Sequence, residues 1–177
     1  MERSYENVQY TGLNTERISM AQTKDYINIL LESLQKKSKI LNTLIGKNAL
    51  QEKAIKDDDT SAFEKVVEEK EVLLQELSSL DEGFEAVFER VKEDITLNRI
   101  VYDEQIRAMQ NLIREITDKS VAIQASEQRN KQLIETHFRD SRSQMKDKRT
   151  SVKVANNYYK AMNRLSAPGF SQIDKKK

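Results

Sequence analysis

The side chains with chemical reach in this chain are few, and their spacing points away from catalysis. His137 is the only histidine and there is no cysteine. An imidazole can ligate zinc or carry a proton, but with no cysteine and no second histidine to share a metal this one is expected at a surface or helix-seam position. Aspartates and glutamates are numerous, yet they recur at the three- and four-residue intervals of solvated helix faces. Neither a glycine-rich phosphate loop nor a nucleophile elbow is present. The expectation is therefore no catalytic residue, no metal, no cofactor and no enzyme activity.

What remains is non-covalent chemistry. Phe138, Met145, Val152 and Tyr159 recur at intervals of seven in a polar, basic stretch, with Ala155 and Met162 on the same face and Tyr158 as a flank. An apolar stripe on a polar helix is the sequence form of a groove-docking element. Adjacent tyrosines on a helix point about 100° apart, so only one of Tyr158 and Tyr159 can lie centrally on it. These seven residues are the candidate client-binding site. Arg142, Lys146, Arg149 and Lys153 lie among them and could steer an acidic partner.

The elements that must position this stripe are helical. With four glycines, one proline, 33% charged and 6% aromatic residues, the 177-residue chain lacks the punctuation of strands and turns. Ile27, Leu30, Leu34, Leu41, Leu44 and Ile55 follow a three-and-four register, flanked by Leu31 and Ile45 and interrupted by Lys37, Asn48 and Gln51. That predicts helix one from about Lys24 to Lys56. The following KDDDTS predicts a tight turn, with Ser61 and Glu64 spaced for a capping box. Helix two carries Phe63, Val66, Leu73, Leu77, Leu80, Phe84, Val87 and Val91, broken only by Lys70. A second line of Val67, Leu74, Phe88 and Ile95 widens this face enough for two partners. Gly83 lies within it as a tolerated weak point.

Periodicity lapses between Asp94 and Asp103, where a second turn is predicted with Asp103 as cap. Helix three then runs through Ile106, Met109, Ile113, Ile116, Ile123 and Ile134, beside Leu112, Val121 and Leu133, with Ser120, Glu127 and Asn130 taking in-register positions. A polar pair such as Glu127 and Asn130 either fixes helix register or marks where a bundle opens. No proline or glycine intervenes before Pro168, so helix three could reach about Asn163, roughly 90 Å against about 50 Å for each partner. Beyond Phe138 some 25 residues either project, fold back onto the bundle, or pair in a dimer.

The fold expected is all-α: an elongated antiparallel three-helix bundle or coiled coil whose long C-terminal helix extends past the bundle. Its parts are a flexible arm (1–22), the bundle (23–138), the amphipathic extension (139–165) and a tail (166–177). Mean hydropathy of −0.75 suits narrow apolar stripes better than a thick globular core. Nothing resembles a signal peptide or a spanning segment, which suggests a cytoplasmic protein. Net charge of +1 conceals an asymmetry: fourteen acids against five bases from Lys56 to Asp94, and thirteen bases against four acids from Arg129 onwards. Without interleaved stacking aromatics or a nucleic-acid motif, this favours complementarity between an acidic and a basic helix, with nucleic acid or a membrane surface as a lesser alternative.

The segment ALQEKAIKDDDTSAFEKVVEEKEVLLQELSSLD, Ala49 to Asp81, in which an aspartate-marked turn leads into the Phe/Val line, resembles the FlgN type of flagellar export chaperone. EQRNKQLIE (Glu127 to Glu135) and ANNYYKAM (Ala155 to Met162) look like the same family, particularly its Gram-positive members. The arm at residues 1–22 is longer than the resemblance leads one to expect. The resemblance implies a cytoplasmic chaperone that binds flagellar hook-associated proteins of the hook-filament junction through their C-terminal helices. It would keep them soluble and unpolymerised before type III export, with contact to the export apparatus and weak homodimerisation left open. A self-associating coiled-coil scaffold is the alternative.

Overall fold

The computed structural model describes residues 19–140 together with Lys153, Asn156, Asn157, Tyr158 and Lys160. Three helices form the body: α1 (Met20–Lys56), α2 (Thr60–Leu97) and α3 (Asp103–Asp140). The described residues contain no strand. The all-α bundle expected from the periodicity is what the chain adopts.

Helix α1 begins a turn earlier than its apolar register suggests, because Ser19 and Gln22 form a capping box. The Ser19 hydroxyl accepts from the Gln22 amide at 3.3 Å, and Gln22 Oε1 accepts from the Ser19 amide at 3.0 Å. All six apolar residues of its predicted register are buried. Its end is closed by the aspartate run. The Asp59 amide donates to Ala54 O at 2.9 Å and the Asp58 amide to Ile55 O at 3.2 Å, with Asp58 left-handed at φ 55. This is the Schellman pattern with aspartate in the position that glycine usually takes. The cap of α2 is Asp59, whose side chain accepts from the Ala62 amide at 2.9 Å, and not the expected Ser61. Asp59 is the last residue outside helical geometry, which is where a capping acceptor must stand.

At the second turn, the amide of Asn98 still donates to Asp94 O and that of Val101 to Asn98 O, each at 2.9 Å. Tyr102, 3% exposed, anchors this connection in the core. Asp103 is the first residue of α3 and pairs with Arg107 at 2.9 Å, adding an acidic group where the helix dipole favours one.

Cross-links give the helix directions. Thr23, Lys37 and Lys47 of α1 bond to Asp94, Asp81 and Glu69 of α2 at 2.8, 2.5 and 2.6 Å, so these two helices are antiparallel. Ser38 and Asn48 of α1 bond to Glu115 and Ser126 of α3 at 2.7 and 2.5 Å, so α1 and α3 run parallel. The central helix is α1: it packs on both others, whereas no Cα of α2 comes within 8 Å of one in α3. The doubled apolar face of α2 therefore does not reflect two backbone partners. Its Leu73, Leu80 and Val87 are only half-buried, while Val67, Leu74 and Ile95 of the second line are buried. Acidic α2 finds its cations on α1, in the ion pairs of Lys37 and Lys47.

The long rod expected for helix three is corrected at its far end. Tyr158 hydrogen-bonds Glu127, 31 residues earlier, at 2.8 Å. A continuous helix would separate the two by about 46 Å. At Tyr158 the chain has returned to the bundle, because a buried seat receives its ring there.

Candidate functional site

The polar residues that interrupt the three apolar registers fall in one layer. Asn48 and Gln51 come from α1, Lys70 from α2, and Glu127 and Asn130 from α3, and all five are buried. Each occupies a core-facing position of its own helix, so folding the helices together forces their polar groups to meet. Asn130 Nδ2 donates to Asn48 O at 2.9 Å and to Gln51 Oε1 at 3.2 Å, tying α3 to α1. Lys70 Nζ donates to Gln51 Oε1 at 2.7 Å and pairs with Glu127 Oε1 at 2.6 Å, tying α2 to both. Register is thereby specified, since a slide of one helix would leave these groups unpaired in the core.

Tyr158 completes the layer. Its hydroxyl donates to Glu127 Oε1 at 2.8 Å, and Lys70 Nζ lies 4.3 Å from the centre of its ring, within cation–π range. The ring is fully buried, as is the Lys70 side chain. One carboxylate oxygen thus receives an ammonium and a phenol together. Burial pushes the Lys70 ammonium down to about 8, a fall that the charge and hydrogen bond of Glu127 partly offset. Asn48 Oδ1, Gln51 Nε2 and Glu127 Oε2 find no hydrogen-bond partner among the described residues. Such a layer holds a charge pair and an aromatic ring together. Among the described residues, no three His, Cys, Asp or Glu side chains are grouped to hold a metal.

Of the seven residues expected from the sequence, the structure places the Tyr158 side chain alone. Phe138 belongs to α3, near its end. Met145, Val152, Ala155, Tyr159 and Met162 lie outside the described residues, as do Arg142, Lys146 and Arg149. Tyr158, read as a flank, is the largest of the fully buried side chains among the described residues. Lys153 and Lys160 are exposed on either side of it. His137 stands 3.8 Å from Asp58 Oδ1 at the bundle end, and among the described residues the two belong to no group of three ligand-type side chains that could hold a metal. Sequence reasoning left Lys70, Gln51 and Glu127 out of the site. The signal was present in the failures of register at those positions, but each was visible only within its own helix.

A family model described as FlgN protein matches residues 20–163, about four-fifths of the chain, including both the polar layer and Tyr158. No curated protein and no solved structure matches.

Proposed function

This chain belongs to the FlgN family of flagellar export chaperones, and we propose on that premise that it binds hook-associated subunits of the hook-filament junction in the cytoplasm. Its C-terminal amphipathic segment would cover their apolar C-terminal helices before export. Support comes from the return of Tyr158 to the bundle. An aromatic group of that segment, 31 residues past Glu127, is buried against the helices of the bundle. A stripe that seeks a helical surface suits a chaperone whose client exposes a matching one, and release then needs no covalent step. Within the described residues no helix is long and apolar enough to cross a membrane.

The test uses the full chain with Val152→Glu and Met162→Glu, which place charges on the stripe, and checks by circular dichroism that each variant keeps its helical content. Binding to a purified hook-associated subunit, followed by calorimetry, is expected to weaken at least tenfold. Unchanged affinity would remove the stripe from the site. Self-association through α3 irrespective of client would favour the scaffold reading instead.

A further inference from the structure

The C-terminal segment meets the bundle at a polar seat. Beneath the Tyr158 ring lie Lys70 and Glu127, on the two helices whose backbones stay apart, with Gln51 of α1 bonded to Lys70. The ring therefore bridges the side of the bundle that α2 and α3 leave open. Around it, Lys153, Asn156, Asn157 and Lys160 are helical and exposed. Of the described residues in this segment, only the tyrosine is buried in the seat.

We propose that Tyr158 is a latch: in the free protein it holds the C-terminal segment on Lys70 and Glu127, and binding of a client helix requires it to let go. The proposal rests on the reading that this segment binds client. Sequence spacing sets the two states in competition. Ala155 and Met162 of the client stripe stand only three residues before and four after Tyr158 in the sequence, so a client helix seated on the stripe and the seat on the bundle compete for the same short stretch of chain.

The chemistry of the seat suits repeated opening. Were it apolar, departure of the segment would expose a greasy patch on the bundle that invites aggregation. Here, departure returns an ammonium, a carboxylate and an amide to water, relieving the desolvation that burial imposes on them. Ring burial and the hydroxyl bond close the latch, and rehydration of the charges opens it, so neither state needs to dominate strongly.

The chain has no cysteine, so a pair of spin labels can be placed cleanly at the exposed positions Arg114 and Lys160. With Tyr158 beside Glu127, the labels sit near the 13-residue helical separation of Arg114 and Glu127, about 20 Å; along a straight helix they would be about 69 Å apart. Double electron–electron resonance on the free protein is expected to show the short distance. Tyr158→Phe keeps the ring and removes the bond to Glu127, and should move roughly tenfold more molecules to long distances with bundle melting unchanged. A synthetic peptide of a hook-associated subunit's C-terminal helix should convert the rest, and Tyr158→Phe should tighten its binding by up to about tenfold. Peptide binding with the short distance retained overturns the latch, as does a free protein without the short distance. Failure of every variant to bind peptide overturns the client reading instead.

Discussion

Lys70 of α2 and Glu127 of α3 meet at 2.6 Å across a space that their backbones leave open, with the Lys70 side chain wholly removed from solvent. Two charges taken out of water need each other more than the fold needs them. Their attraction chiefly offsets their own desolvation, so the pair acts more on register than on stability.

Lys70→Met strands Glu127 as an unpaired buried carboxylate and should destabilise the protein by about 3–5 kcal/mol in urea unfolding. The double variant Lys70→Met with Glu127→Leu should recover most of that loss. If the single substitution leaves the midpoint unmoved, the two side chains are not buried together.

The depressed Lys70 fixes a pH dependence and its sign. Its folded value of about 8 lies below the ordinary 10.5, so between those limits the unfolded chain binds more protons. Stability contributed by this group accordingly rises as pH increases through that window, and is lost as pH falls through about 8. The stability of the natural protein relative to Lys70→Met should increase from pH 8 to pH 10. A flat or falling difference would contradict the buried ammonium.

Gly83 and Gly46 sit inside helices with open space around them: a Cβ added at either meets nothing within 4 Å. The weak point expected at Gly83 is therefore removable. Each replacement by alanine should stabilise the protein by about 0.5–1 kcal/mol, seen as a higher thermal midpoint. A lower midpoint for Gly83→Ala would mean that this helix needs the flexibility.

Asp58 occupies the left-handed position of the Schellman turn. Valine, whose branched side chain is least tolerant of positive φ, should cost about 1–2 kcal/mol there. Glycine should match or exceed aspartate in stability. Equal unfolding midpoints for the valine and glycine variants would rule out a strained turn.

Most of the bundle was legible because its registers are regular. Ile27, Leu34 and Leu41, Phe63, Leu77 and Phe84, and Met109, Ile116 and Ile123 are all buried where their spacing places them. Less legible was which helix lies in the middle. A wide face on α2 suggested two partners, but α1 has them, and its own polar interruptions, Asn48 and Gln51, hid that from a count of apolar residues. The layer itself could not be read from one helix at a time. Lys70 looked like a fault in α2 until Gln51 and Glu127 stood beside it. Tyr158 carried no sign of its destination, because a ring that returns to a charge pair leaves the same spacing in sequence as one that faces a client.

The parallel course of α1 and α3 sets an order of assembly. Hydrogen bonds joining α1 to α2 span 19 residues at Gln51 and Lys70 and widen to 71 at Thr23 and Asp94, so that hairpin can close from its turn outwards in small steps. Those joining α1 to α3 span 77 to 82 residues from the first to the last. No short loop exists from which that second interface could grow, and its chain-closure cost must be met before any contact forms. The α1–α2 hairpin should thus form the folding nucleus, with α3 arriving as a finished rod. Substitutions at Ile113 and Ile123 should speed unfolding and leave refolding rates nearly unchanged, whereas Phe63→Leu should slow refolding.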